Sequence, residues 1–231
     1  MIKDKIYNIL QKTPIISQVL SKKLNKNLLI ENRKIALQKY GFDTIKTIDS
    51  ALTKNQILYF ADFGTLLGIV RENGFIKHDL DMDFGIIENQ HFSWSKLEKL
   101  MLANNILKVR QFIYKGIITE QTYRFENLTI DFFLHFRDDK NDFAYEYYKQ
   151  KKYPYKSNNE FSVAKWNLYK FDNIERRRVN EIEINIPCDP EKYLESIYST
   201  NWRIPNARWK SCDGQGWTIL NNEIATMVPF D

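Results

Sequence analysis

The sequence predicts an α+β protein, with α/β mixing: N-terminal helices, then a small mixed sheet with helices packed on it. Three observations carry that expectation. Apolar residues recur at helical spacing through the first fifty residues, the spacing changes to two in residues 81–87 and 128–136, and a Pro-led helical segment returns at 190–198.

The elements follow in order. Ile6, Ile9 and Leu10, then Ile16, Val19, Leu20, Leu24, Leu28 and Leu29, trace helical faces. Pro14 is expected to split them into two short helices, because an interior proline breaks the hydrogen-bond ladder. A longer helix follows over 32–54, interrupted near Gly41. Residues 57–63 are a compact apolar run, read as a buried strand, and 66–72 read as a helix closed by the Asn73-Gly74 turn. Met82, Phe84 and Ile86 alternate with Asp81, Asp83 and Gly85, as in a strand with one dry face. A helix over 93–104 and strands over 107–114, 118–125 and 128–136 come next. In the last of these, Ile130, Phe132, Leu134 and Phe136 point one way, and Thr129, Asp131, Phe133 and His135 the other. Residues 137–160 are polar and rich in Tyr and Lys, a surface excursion, and short strands return near 161–171 and 179–186. Asp189-Pro190 opens a helix to Tyr198, and the tail from Asn201 is expected to be irregular.

Length and composition set limits. The chain has 231 residues, enough for one sizeable domain or a domain plus an appendage, and 43% hydrophobic residues argue for a packed core and against bulk disorder. Cys188 and Cys212 lie in no metal-ligand spacing and read as ordinary thiols of a reducing cytosol. No signal peptide is expected, and the longest apolar stretch, residues 57–70, is 14 residues long and contains Asp62, too short for a membrane span. A cytoplasmic location is expected, free or peripheral at the cytoplasmic membrane face. The net charge of +5 is uneven: residues 1–40 carry +7 and the remainder −2. That basic arm fits a solvated helix face, and it also suits an anionic partner such as a membrane surface. The basic surplus is confined to the arm, so no nucleic-acid partner is expected.

The chemistry concentrates in "DFGTLLGIVRENGFIKHDLDMDFGII", residues 62–87. Asp81 and Asp83 share one strand face, with Cα atoms about 6.5–7 Å apart by strand rise. Hard divalent cations such as Mg²⁺ or Mn²⁺ take such oxygen ligands and complete their shell with substrate phosphates. Asp131, embedded in "LTIDFFLHF", is a third candidate ligand if its strand lies beside the first, since a metal offsets the cost of burying carboxylates. Gly64-Thr65 opens a helix, with Thr65 as its expected N-cap, and a helix N-terminus suits a phosphate. Against these stand blander possibilities: a solvated turn or a structural calcium site for the pair, and a hydrogen-bonded core carboxylate for Asp131. His135 is expected in the core or at its rim. Arg176-Arg177-Arg178 reads as a solvated charge run, or as a neutraliser of an anionic ligand, and Tyr145, Tyr147, Tyr148, Tyr153 and Tyr155 as packing or a stacking surface.

Residues 64–83, "GTLLGIVRENGFIKHDLDMD", resemble the LicD/fukutin-related branch of the DNA polymerase beta-type nucleotidyltransferase superfamily, which reads GTLLGxxRxxGFIPWDDDxD. Residues 186–205, "IPCDPEKYLESIYSTNWRIP", resemble its downstream segment. The resemblance covers roughly 55–205. It implies a nucleotidyltransferase-type core at 55–205, after a basic helical region at 1–54 and before a tail at 206–231 packed on the core. It also implies transfer of a phosphorylated alcohol (phosphocholine, ribitol phosphate or glycerol phosphate type) from a CDP-activated donor to a glycan or lipid-linked glycan. Gly64 and Thr65 would then hold phosphate, and Asp81, Asp83 and Asp131 would hold Mg²⁺ or Mn²⁺, with Asp131 helping to deprotonate the acceptor. Arg71 would neutralise phosphate or support the structure. The sequence departs from the pattern at Lys77-His78, Leu80 and Ser199. The rivals are a DxD-type glycosyltransferase using a sugar nucleotide and a catalytically silent binding protein of glycan assembly.

Overall fold

The computed structural model describes residues 14–230. The expected apolar face at Ile6, Ile9 and Leu10 lies outside the described residues. Helix α1 (Pro14–Lys54) runs on without the interruption expected near Gly41, and the helix expected before Pro14 lies outside the described residues. Pro14 stands at its first position, where a missing N–H costs no internal hydrogen bond. Gly41 serves close packing instead of interruption, because a Cβ there would lie 2.5 Å from the Phe75 ring. Leu37, Ile45, Ile48 and Leu52 form its buried stripe.

Strand β1 (Leu58–Ala61) leads into helix α2 (Phe63–Glu72), then strand β2 (Asp81–Ile87) and helix α3 (Trp94–Leu102). A run of strands follows: β3 (Leu107–Tyr114), β4 (Ile117–Phe125), β5 (Leu128–Arg137), β6 (Asp142–Tyr148) and β7 (Glu160–Leu168). Strands β8 (Ile174–Val179) and β9 (Ile182–Pro187) make a separate two-stranded ribbon. Helix α4 (Pro190–Tyr198) and strand β10 (Trp217–Pro229) complete the chain.

The strand pairing corrects the expected fold class. A small mixed sheet flanked by helices, the nucleotidyltransferase-type core, is not what forms. Strands β5-β4-β3-β10-β7-β6 make a continuous antiparallel series that closes on itself where β6 pairs with β5, through Phe136 with Phe143 and Arg137 with Asp142. The result is a closed six-stranded antiparallel barrel. Strands β2 and β1 extend it from the outer edge of β5, β2 parallel to β5 and β1 antiparallel to β2. Two segments account for the difference. The expected surface excursion contains β6, and the expected irregular tail contains the 13-residue β10, which pairs with both β3 and β7. The periodicity of β10 is broken by a register shift between Leu220 and Ile224, with Asn222 in a left-handed conformation at φ 63°, so its strand character is masked in sequence.

The main core lies between α1, α3 and one face of β1, β2, β5 and β4, with Tyr59, Phe84, Tyr123 and Phe132 fully buried. Inside the barrel, Tyr114 meets Tyr145 and Phe112 stacks on Tyr147 across non-adjacent strands, with ring centroids 4.8 and 4.5 Å apart. Arg176 pairs with Asp49 of α1, so this member of the basic run ties the β8–β9 ribbon to the long helix. Among the described residues no helix is long and apolar enough to cross a membrane.

Candidate active site

The site is built where β1 passes into α2. Asp62 is fully buried, and its backbone N–H donates to the Asp83 carbonyl at 3.0 Å, continuing the β1–β2 ladder by one bond. Its Oδ1 then accepts from the Phe63 N–H at 2.8 Å, which makes Asp62 the N-cap of α2. Thr65, expected as the cap, lies inside the first turn and is buried. Its hydroxyl oxygen accepts from the Asp83 N–H at 2.8 Å and so buttresses β2. Two further groups hold Asp62: the Tyr193 hydroxyl donates to Oδ1 at 2.8 Å, and His135 Nε2 lies 2.6 Å from Oδ2. His135 is thus a core residue, as expected.

Gly64 follows, and its N–H donates to Asp83 Oδ2 at 3.1 Å. A Cβ at this position would stand 3.2 Å from Asp79 Oδ2 and 3.3 Å from Asp83 Oδ2. Glycine therefore leaves room for two carboxylates against the start of a helix. The parallel pairing of β2 with β5 puts Asp83 directly beside Asp131, and Thr122 of β4 directly beside Asp131 on the other side. Directly paired residues share a sheet face, so Asp83, Asp131, Thr122 and its partner Arg110 form one row across four strands. The row is hydrogen-bonded: Arg110 Nε donates to Thr122 Oγ1 at 2.9 Å, and the Thr122 hydroxyl donates to Asp131 Oδ1. Arg110 Nη2 reaches within 3.9 Å of the same Asp131 oxygen.

These carboxylates are held against their ordinary chemistry. Burial, then the charges of Asp131 and Asp79, pushes the Asp81 carboxyl up to about 7. Burial and the neighbouring carboxylates raise Asp83 well above the usual range. Asp131 is raised by burial, with Arg110 and the Thr122 hydroxyl opposing. Asp79 is pushed up to about 6 by burial, with Arg71 opposing.

Asp79, Asp81, Asp83, Asp131, Gly64 and Arg71 all line one cleft of about 960 Å³, while Thr65 is absent from its lining. Arg71 donates from Nη1 to the Trp202 carbonyl at 3.1 Å and pairs with Glu72 at 2.8 Å, so it supports structure while facing Asp79. Tyr145 and Tyr147 of the tyrosine group reach the cleft, and Tyr148, Tyr153 and Tyr155 do not. Sequence reading missed Glu120. It is 6% exposed, lines the cleft, and its carboxyl is raised well above the usual range by burial and Asp131. An ionisable residue inside the strand "ITEQTYRF" is the same signal that marked Asp131. Among the described residues no three His, Cys, Asp or Glu side chains are already gathered as a metal cage.

A family model described as LicD/FKTN/FKRP, nucleotidyltransferase domain, matches residues 56–189, more than half of the chain. The chain belongs to the LicD/FKTN/FKRP family. Among curated relatives, an uncharacterised protein of Rickettsia typhi is 33% identical over 138 residues, covering 58% of this chain and 40% of the relative. An uncharacterised protein of Rickettsia prowazekii is 31% identical over 159 residues, covering 68% of this chain and 53% of the relative. The chain thus spans about half the length, or less, of these two relatives. The LicD match contains the whole carboxylate row but ends before α4 and β10.

Proposed function

We propose that this LicD-family chain is a metal-dependent phosphotransferase that moves a phosphorylated alcohol from a CDP-activated donor to a glycan hydroxyl. The observation that carries this reading is the row of carboxylates at the cleft, Asp83 beside Asp131 with Asp81 next to them, crowded and short of positive partners. Such a group fits a hard divalent cation, because the available donors are oxygens and the uncompensated negative charge is what a cation relieves. Asp81, Asp83 and Asp131 would hold Mg²⁺ or Mn²⁺, which when bound neutralises charge on the donor phosphates.

The chain's own groups supply the rest. Gly64 lets Asp79 and Asp83 pack against the start of α2 at the cleft wall, while Thr65 fixes β2 behind them. Arg71 and Arg110 bring positive charge to the same cleft. Asp131 Oδ1 is engaged by Thr122, and its other oxygen is left to take the acceptor proton. As that O–H bond breaks, the acceptor oxygen bonds to the phosphorus nearest the alcohol, the bond to the CMP oxygen breaks, and CMP leaves. Positioning and charge stabilisation supply the acceleration.

Glu120 favours a cationic alcohol of the choline type over a polyol. In register it lies between Phe112 and Phe133, and Phe112 packs on Tyr147 and Phe161. The Tyr147 hydroxyl is engaged with Thr119, so these rings offer polyol hydroxyls little to bond. A buried carboxylate among aromatic faces suits an alkylammonium group. In the same reading the basic arm makes peripheral membrane contact. Leu24, Leu28 and Ile35 are exposed on one stripe of α1, which suits a lipid surface carrying the acceptor.

Phosphorus NMR of reactions with CDP-choline, CDP-ribitol, CDP-glycerol and nucleotide sugars tests the proposal. The expected result is Mg²⁺-dependent CMP release with a new phosphodiester, fastest with CDP-choline. Consumption of a nucleotide sugar to give a phosphorus-free glycoside would overturn it.

A further inference from the structure

We infer that the strap joining α4 to β10, residues 199–213, is a carbohydrate subsite that receives the acceptor sugar. Only the word acceptor rests on the phosphotransfer reading above; the sugar-binding chemistry stands apart from it. The cleft has two unlike ends. Inside the barrel, Phe112, Phe161 and Glu120 offer rings and one carboxylate. At the other end the wall is the strap, which lies beyond the matched family domain ending at residue 189.

The strap combines an aromatic face with uncommitted polar groups. Trp209 packs on Tyr198, with centroids 4.5 Å apart, and lies nearly parallel to Trp166, at 20° and 6.3 Å. Ser199 and Asn201 line the cleft, and neither side chain makes a hydrogen bond among the described residues. Asn206 spends its Oδ1 on the Arg208 N–H at 3.0 Å and keeps its amide N–H₂ for a ligand. The indole N–H groups of Trp202 and Trp209 are buried behind this surface and lack acceptors among the described residues. An aromatic surface beside amide and hydroxyl groups suits a sugar, whose C–H face covers a ring while its hydroxyls bond at the rim. A flat base held between Trp166 and Trp209 would need about 7 Å, two carbon contact distances. Their 6.3 Å separation leaves no such slot.

The strap is also held in place. Its Trp202 carbonyl accepts from Arg71 Nη1 at 3.1 Å, and Arg203 pairs with Glu191 of α4 at 2.6 Å. Just beyond it, a Cβ at Gly214 would lie 2.4 Å from the Trp166 ring, so glycine alone lets the chain approach so closely. A surface ordered in advance loses less freedom on binding.

The test uses the whole chain and methyl glycosides of glucose, galactose, N-acetylglucosamine and N-acetylgalactosamine, followed by tryptophan fluorescence and saturation-transfer NMR. At least one glycoside should bind with a millimolar Kd. Asn201→Ala with Asn206→Ala should weaken it tenfold or more, while CMP affinity stays within twofold of wild type. Both asparagines are exposed, and Trp209→Leu gives an independent second variant with the same expectation. Saturating CMP should not displace the glycoside. Absence of binding by every glycoside, binding unchanged in both variants, or displacement by CMP would each overturn the inference. If only the phosphotransfer reading is wrong, no CDP-alcohol is consumed, yet glycoside binding and its sensitivity to these substitutions persist.

Discussion

On one face of the β2–β5 pair stand Met82, Phe84, Ile86, Ile130, Phe132 and Leu134, none more than 4% exposed. On the other stand Asp81, Asp83, Asp131 and His135. The two faces share strands, register and backbone, and differ only by the period-two alternation of side chains. The first face holds the molecule together by burying apolar surface against α1 and α3. The second works against the fold, since crowded carboxylates resist ionisation there. Keeping such a face is reasonable only if something outside the chain, a cation or a substrate, relieves it.

Substitutions on the two faces should have unlike effects. The largest effect is expected on the dry face: Phe132→Ala should cost about 3–5 kcal/mol of stability. Denaturant unfolding measures this, and a loss under 1 kcal/mol would mean that the face is not the core. On the carboxylate face the expectation is reversed. Asp83→Asn should lower turnover by about 10²–10³-fold, of the order seen when one transition-state partner is removed, without lowering the metal-free melting temperature. Turnover near wild type would show that the face has another purpose. Thr65→Val lies between the two. It preserves shape but leaves the Asp83 N–H without its acceptor, at about 1–3 kcal/mol, and donor affinity should fall with it. Unchanged stability and donor KM would remove Thr65 from both roles.

The smallest effect is in pH. The ordinary Asp value is 3.8, and Asp81 in the folded chain stands at about 7. Between these values the folded form binds more protons than the unfolded, so stability falls as pH rises across that window. The cost is absent below the lower value and complete above the upper one. In metal-free protein, Asp81→Asn should therefore raise the melting temperature by a few degrees at pH 7.5 and leave it unchanged at pH 4. An equal shift at both pH values would show that burial and charge at Asp81 are not linked in this way.

Much of this face was readable beforehand because its signals are local. Asp81, Asp83 and the glycine before them lie within twenty residues, and alternation alone put Asp131 opposite Phe132. What escaped was non-local. Barrel closure depends on β6 returning to β5 through four residues, and on β10 joining β3 to β7 across an interruption at residues 221–223. Thr65 was misread because its partner, the Asp83 N–H, is a backbone group eighteen residues away. Glu120 carried a visible signal, a charge inside a strand, but its meaning came only from its aromatic neighbours on β3 and β5.

In the proposed function Asp81, Asp83 and Asp131 form a divalent cation site. Calorimetric titration of Mn²⁺ into the wild-type chain and Asp83→Asn at pH 7.5, with and without CMP, addresses it most directly. Saturable binding by the wild type that tightens when CMP is present, and its loss in the variant while the fold persists, are expected. Equal Mn²⁺ binding by both proteins, or none by the wild type even with CMP, would contradict it.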